Sequence, residues 1–353
     1  MVRPDFSIVT PTYNRSRFLR LSLASSLRQK GVTLEIIVGD DCSKDDTKAV
    51  VRSFHDPRIK YFKNTRNLNT ALNFKKCFLK CKGKYIFTLS DDDFLLDDDA
   101  LLAVLKMMRM HDLGMGKLGT ISYDVDPRHP YQSFILSEKK VIVKPERSKE
   151  ILKDTIDFGL GFFSGLAFNN SYLNRTLLAV DHICKPGHLC AIYHSVMYDL
   201  ITRRGIGYIP GKFVVSRMST ELMPSYFRLG HDDWFFLEDN VKYTRKFLTE
   251  SQYSDFKKTF LHGEYIILPN IKYFTDTRSY TDILRKMIAM ETSLLTSPEF
   301  IVFAALGYLP KFIIRWLRFV KIYGMKRHAQ QAALKIAYAD KLGKFSKDTG
   351  LLT

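Results

Sequence analysis

The first hundred residues alternate between short, continuously apolar runs and longer segments whose apolar positions recur every three or four residues. The runs at 6–10, 34–38, 59–62 and 85–89 have the length of buried strands. Between them, 17–29 carries Phe18, Leu19, Leu21, Leu23 and Leu27, and 70–80 carries Ala71, Leu72, Phe74, Phe78 and Leu79, spacings that predict helices packed on a sheet. Segment 45–54 opens on Asp45 and Asp46, carboxylates that complement the dipole of a helix's first turn. The predicted order is βαβαβαβ. Strands apolar at every position, rather than at alternate ones, belong in a mostly parallel sheet with helices on both faces.

Sheets of this kind bind ligands beyond the carboxyl ends of their strands. Three of the runs end in polar, turn-prone residues: Pro11 to Asn14, Asp40 with Asp41, and Ser90 to Asp93. These are expected to gather at one rim. Farther on the pattern predicts a helix at 152–158, a strand at 164–169, a helix at 191–204 and a strand at 207–215. Beyond about residue 225 it turns mainly helical, which suggests an α/β region over 1–225 and a helical region over 226–353.

The composition is that of a folded protein, with 46% hydrophobic and 26% charged residues in 353. No glycine-rich phosphate loop follows the first strand, which excludes an ordinary dinucleotide-binding dehydrogenase and a P-loop NTPase. Five cysteines, Cys42, Cys77, Cys81, Cys184 and Cys190, show no C-x2-C spacing, so reduced thiols and a cytoplasmic location are expected. The start lacks the apolar core of a signal peptide, and no run of about 20 apolar residues suits a transmembrane helix. His182, His188 and His194 are six apart, which does not suit a helical zinc pair.

Asp91, Asp92 and Asp93 at a strand end carry the strongest chemical signal. Adjacent carboxylates repel one another unless solvated or neutralised, and their hard oxygens suit Mg²⁺ or Mn²⁺. The plainer reading is a solvated acidic loop, and it suits Asp97 to Asp99, which precede an evident helix over 100–108. Asp40 and Asp41 suit either a turn or acceptance of a hydrogen bond from a ligand.

Taken together, Ser7 to Arg15, Glu35 to Thr47, Asn67, Asn73 and Gly83 to Asp93 resemble the family 2 glycosyltransferases of the GT-A fold, most of all abequosyltransferase-type enzymes of bacterial O-antigen assembly. The resemblance is strong over about 5–110 and weaker to 220. It implies an inverting transfer from a nucleotide-sugar donor to a hydroxyl of a lipid-linked glycan, in lipopolysaccharide or capsule synthesis. It also implies site residues. Thr10, Pro11 and Tyr13 would wall the base, and Asp40 or Asp41 would accept from its edge. Asn73, Ser90 and Asp91 would complete the donor site, with Asp92 and Asp93 on the metal. Ser90 stands where the family usually has an aspartate. Counting back a dozen residues from Gly205, where relatives carry Glu-Asp, reaches Tyr193 and His194, so His194 is the candidate base, with Asp199 and Glu138 in reserve. Arg217, after the last strand, would face the diphosphate.

The net charge of +17 invites an anionic partner. Residues 301–353 hold ten Lys and Arg against two Asp, and Lys311, Arg315 and Arg318 fall on one helical face opposite Phe312, Trp316, Phe319 and Val320. Cations with Trp and Phe fit an interfacial helix, so peripheral contact with the inner face of the cytoplasmic membrane is expected. Nucleic acid is not expected, because the acidic strand ends would repel phosphate and no recognition motif is present. A non-catalytic GT-A-like protein is the other alternative.

Overall fold

The strands form where the apolar runs lie, because residues apolar on both sides are stable only between two helical layers. The computed structural model describes residues 3–123, 126–128, 132–134, 140–147, 163–173, 187–217, 241–242, 244–245, 248–264, 277–310, 312–313 and 327–351. Strand β1 (Phe6–Thr12) leads through helix α1 (Ser16–Leu27) to β2 (Leu34–Asp40), α2 (Thr47–Ser53), β3 (Ile59–Lys63), α3 (Asn69–Lys80) and β4 (Tyr85–Thr88). Then follow β5 (Phe94–Leu95), α4 (Ala100–His111), β6 (Met115–Tyr123), β7 (Gln132–Phe134), β8 (Val141–Val143), β9 (Leu166–Asn169), α5 (Gly187–Arg204) and β10 (Ile206–Arg217). The C-terminal region supplies α6 (Glu250–Glu264), α7 (Thr277–Met290), α8 (Pro298–Leu306) and α9 (Arg327–Thr349). The predicted helix at 152–158 lies outside the described residues.

The sheet order is β3-β2-β1-β4-β9-β6-β10-β5. Strands β3, β2, β1 and β4 pair in parallel. The reversed β9 then bridges β4 to β6, so β6 and β10 run in the direction of β1. One face buries Ile8, Val38 and Leu89 against Leu19 and Leu23 of α1 and Leu101 and Val104 of α4. The other buries Val9, Ile37 and Phe168 against Phe74 and Phe78 of α3 and Val196 and Ile201 of α5. Gly39 is required by this second layer, because a Cβ there would stand 2.4 Å from Cys77 Sγ. Gly205 ends α5 with φ of 74°, and its N–H donates to Ile201 O at 2.8 Å.

Two differences from the sequence pattern have clear causes. Helix α2 begins at Thr47, not Asp45. The Asp45 carboxylate is used outside the helix, accepting from Thr47 N at 3.1 Å and Ser16 N at 2.9 Å, and so ties the strand-end turn to α1. Strand β6 is buried along its whole length, yet Gly116, Lys117, Gly119, Thr120 and Ser122 interrupt its apolar signal.

The C-terminal helices join the strand region. Tyr198 of α5 meets Phe256 of α6 edge to face, with centroids 5.6 Å apart. Helix α9 closes a third core, where Tyr338, Leu342 and Phe345 cover Phe94, Tyr123 and Val215. The Tyr338 hydroxyl donates to Pro127 O at 2.7 Å. Among the described residues, no helix is long and apolar enough to cross a membrane. Of the basic amphipathic segment at 311–320, only residues 312 and 313 are described.

Candidate active site

Parallel pairing places Thr12 opposite Asp40, so the turns after β1 and β2 open on the same rim. The turn after β4 joins them: Leu89 N donates to Val9 O at 3.1 Å, and Ser90 to Asp93 follow. Strand β10 ends at the same rim, where Arg217 N donates to Asp93 Oδ1 at 2.9 Å.

The three carboxylates are held differently. Asp91 and Asp93 are buried, while Asp92 is more open. The Arg15 guanidinium reaches Asp92 Oδ2 at 2.8 Å and Asp91 Oδ1 at 3.4 Å. The Ser164 hydroxyl donates to Asp93 Oδ2 and accepts from Ser90 N at 2.9 Å, so Ser90 supports the cluster through its backbone. Burial first, and then the charge of Asp92, raises the Asp91 and Asp93 carboxyls well above the usual carboxylate range. Burial raises Asp92 too, against the opposing pull of Arg15. Lys117 lies inside the protein behind them. Its ammonium donates to Ser164 O at 3.1 Å and Thr120 Oγ1 at 3.3 Å, and burial pushes it down to about 7 against the influence of Asp93.

At the second strand end, Asp40 has both oxygens occupied, accepting from Ser43 N at 2.7 Å and from the Tyr61 hydroxyl at 2.6 Å. Asp41 uses Oδ1, which accepts from Leu68 N at 2.8 Å and Asn64 Nδ2 at 2.9 Å. Asn73 is buried; it donates to Gly39 O at 2.7 Å and accepts from Asn64 at 3.0 Å, clamping α3 to β2. Thr10 is fully buried within β1, Pro11 half-buried and Tyr13 exposed at the rim. The Arg217 guanidinium lies over the Phe18 ring, 4.1 Å from its centroid. His194 falls within α5, but its side chain lies outside the described ones, as do those of Tyr193 and Glu138. Asp199 is paired with Arg203 one turn along α5.

The donor set suits a hard divalent cation. Among the described side chains, Arg15 is the cation in contact with Asp91 and Asp92, so negative charge is left inside a largely buried rim. Also among the described residues, no group of three His, Cys, Asp or Glu forms a ready cage. Mg²⁺ binds without such a cage, through one or two carboxylates, waters and substrate phosphates.

Arg15, Ser164 and Lys117 were not singled out by sequence. Arg15 lies 76 residues before its partner Asp91, and only the adjacency of β1 and β4 joins them. No local signal marks Lys117, because glycines and polar residues surround it along β6.

Residues 7–173, just under half of the chain, match the model of Glycosyl transferase family 2. The chain is 39% identical over 102 residues to GalNAc(5)-diNAcBac-PP-undecaprenol beta-1,3-glucosyltransferase of Campylobacter jejuni, covering 26% of this chain and 31% of that one. It is 34% identical over 95 residues to the succinoglycan biosynthesis protein ExoO of Rhizobium meliloti, covering 27% of each. It therefore spans less than a third of the length of these curated relatives. Two solved structures share the fold at low identity. The mannosyltransferase PcManGT of Pyrobaculum calidifontis, in complex with GDP-Man and Mn²⁺, matches with a TM-score of 0.50 and 14% identity over 92% of this chain and 89% of that one. Staphylococcus aureus TarS 1-349, in complex with UDP-GlcNAc, gives 0.50 and 12% over 86% and 90%. The fold and the strand-end rim agree with these matches: residues 7–173 are similar to the family 2 glycosyltransferases, and the sheet is the GT-A fold shared with solved transferases.

Proposed function

We propose that the chain is an inverting glycosyltransferase that moves a sugar from a nucleotide-sugar donor to a hydroxyl of a lipid-linked glycan in bacterial surface polysaccharide synthesis. The observation that carries this is the Asp91–Asp93 cluster, largely buried at the carboxyl-end rim with Arg15 as its contacting cation. Three carboxyls largely buried together with one contacting cation cost the fold stability unless a further cation joins them, a cost that a metal-binding donor site explains and a non-catalytic relative would not need. The C. jejuni relative, named for an undecaprenol-linked substrate, supports a lipid-linked acceptor.

Asp92 and Asp93 are the residues that hold Mg²⁺ or Mn²⁺. Asp92 is the more open of the two, and Asp93 keeps acceptor capacity beyond its bonds to Ser164 and the Arg217 amide. When bound, the ion neutralises the donor diphosphate. Tyr13 and Pro11 flank the base from the rim, with Thr10 beneath them. Asp41, whose Oδ1 alone is used by Asn64 and Leu68, accepts from the base edge, while Asp40 and Asn73 hold the strand end in place. His194 takes the proton from the acceptor hydroxyl as that oxygen bonds to the anomeric carbon and the bond to the diphosphate breaks. Arg217, stacked on Phe18, offsets the charge of the departing nucleoside diphosphate.

The test is a panel of nucleotide sugars screened for hydrolysis with and without Mn²⁺. At least one donor should be consumed in a metal-dependent way, and Asp93→Ala should abolish that. His194→Ala should retain donor binding and lose transfer. Hydrolysis of none of the panel would sink the transferase reading, and full transfer by the His194 variant would remove it as base.

A further inference from the structure

The outward side of α8 is apolar where a surface helix is ordinarily polar. Pro298, Ile301, Val302 and Ala305 recur at three- and four-residue spacing, and all face solvent, Ile301 at 51% and Val302 at 54% exposure. The inward side is apolar as well: Phe300 is buried, and Phe303 and Ala304 pack on the core. The exposed stripe continues past the helix to Tyr308 and to Phe312, which is 73% exposed. It is held on a firm base. Tyr308 shares a hydroxyl contact of 2.9 Å with Thr281 of α7, and its ring stands edge-on to that of Tyr280 at 5.4 Å.

The charge around the stripe is net positive: Arg278, Arg285 and Lys286 are exposed on α7 against Asp282, which pairs with Arg285 at 3.4 Å, and Glu299 is the one exposed acid on α8. Arg278 and Arg285 are exposed on α7, three residues before and four after Thr281, on the helical face that meets Tyr308. Residues 300–325 contain four Lys and Arg and no Asp or Glu. An apolar helix face edged by cations is the pattern of a helix that lies in the boundary layer of an anionic membrane. At nine residues, α8 is far short of the length that crosses one.

We infer that the outward face of α8, extended by Tyr308 and Phe312 and flanked by Arg278 and Arg285, is the element that docks this chain on an anionic lipid surface. The docking rests on the chemistry of that face and not on the transfer reaction. That face begins before the basic segment at 311–320 that the sequence alone suggested.

The experiment is cosedimentation of the full chain with phosphatidylcholine vesicles, with and without phosphatidylglycerol. The protein should pellet with the anionic vesicles only, and added salt should release it. Ile301→Asp with Val302→Asp should lower the bound fraction at least about tenfold, since two exposed apolar contacts are replaced by charges that anionic headgroups repel. Met110→Asp, at a still more exposed apolar residue on α4, should bind like the parent. Both sites are solvent-facing, so thermal melts should match the parent. A parent that ignores anionic vesicles, a double variant that binds as well as the parent, or an effect of the double variant on oligomeric state alone would overturn the inference. Nucleotide-sugar hydrolysis is read on the same preparations. Active protein that ignores vesicles overturns the docking only, and vesicle-bound protein without hydrolysis overturns the transferase reading only.

Discussion

Two runs of three aspartates stand six residues apart, and the fold gives them opposite surroundings. Asp91 to Asp93 lie in or near the protein interior with Arg15 in contact, and burial raises all three carboxyls. Asp97 to Asp99 meet four cations brought from distant segments. Asp98 has Arg28 at 2.9 Å and Lys30 at 3.0 Å, Asp97 has Lys341 at 2.6 Å and Lys212 at 3.7 Å, and Asp99 pairs with Lys212. The hydrogen bond from Lys212 lowers the Asp99 carboxyl. The second run is a solved electrostatic problem that starts α4 and anchors α9. The first is left uncompensated inside the fold, which is the contrast expected between the metal and diphosphate site proposed above and a structural acid cluster.

The largest expected contrast is in turnover. Asp92→Ala should reduce metal-dependent nucleotide-sugar hydrolysis by at least about a hundredfold, the scale of one lost charge-stabilising contact, while Asp98→Ala leaves the rate within about twofold, since it touches no part of the rim. Equal losses in steady-state assays would erase the distinction. Next comes Arg15→Ala. Removing that guanidinium should destabilise the metal-free protein by about 2 kcal/mol near neutral pH, a value kept below that of a fully buried pair because Arg15 is partly exposed. Added Mn²⁺ should recover much of the loss in a denaturant melt, and a variant as stable as the parent would show that Arg15 does not compensate the cluster.

The pH dependence is a smaller effect with a definite sign. The raised carboxyls bind protons in the folded state over a window, from about 4 up to about 7, in which the unfolded chain has released them. Their contribution to stability is therefore lost as pH rises through that window, and Lys117, held neutral above about 7, acts in the opposite sense beyond it. Metal-free melting temperatures should fall between about pH 5 and about pH 7, and Mn²⁺ should raise them more at the upper value. A flat or rising metal-free profile would contradict the assignment. Smallest of all, Asp99→Asn should change stability by less than about 0.5 kcal/mol, because an exposed ion pair contributes little.

Much of the fold was legible because it is written locally. The strands at 6–10, 34–38, 59–62 and 85–89 and the helices between them follow from runs and periodicities shorter than a dozen residues, and each formed within two residues of its expected end. Strand β6 was not legible, since its glycines and polar residues are tolerated only between β9 and β10. Within the site, the aspartates stood out as a rare strand-end run. Asp40 and Asn73 looked like ligand contacts, yet their polar atoms bind Ser43, Tyr61, Gly39 and Asn64, a division of labour that no spacing encodes.

What the sequence by itself determined is the alternating element order, the parallel sense of the first four strands and the gathering of their polar ends on one rim, because hydrophobic periodicity and connection length leave few other arrangements. Only the tertiary structure decided which charges are compensated. Arg15 reaches Asp91 and Asp92 because β1 lies beside β4, and Lys341 reaches Asp97 because α9 folds back over β5 and β10. Coulomb interactions depend on separation in space and on burial, and neither is a function of separation along the chain.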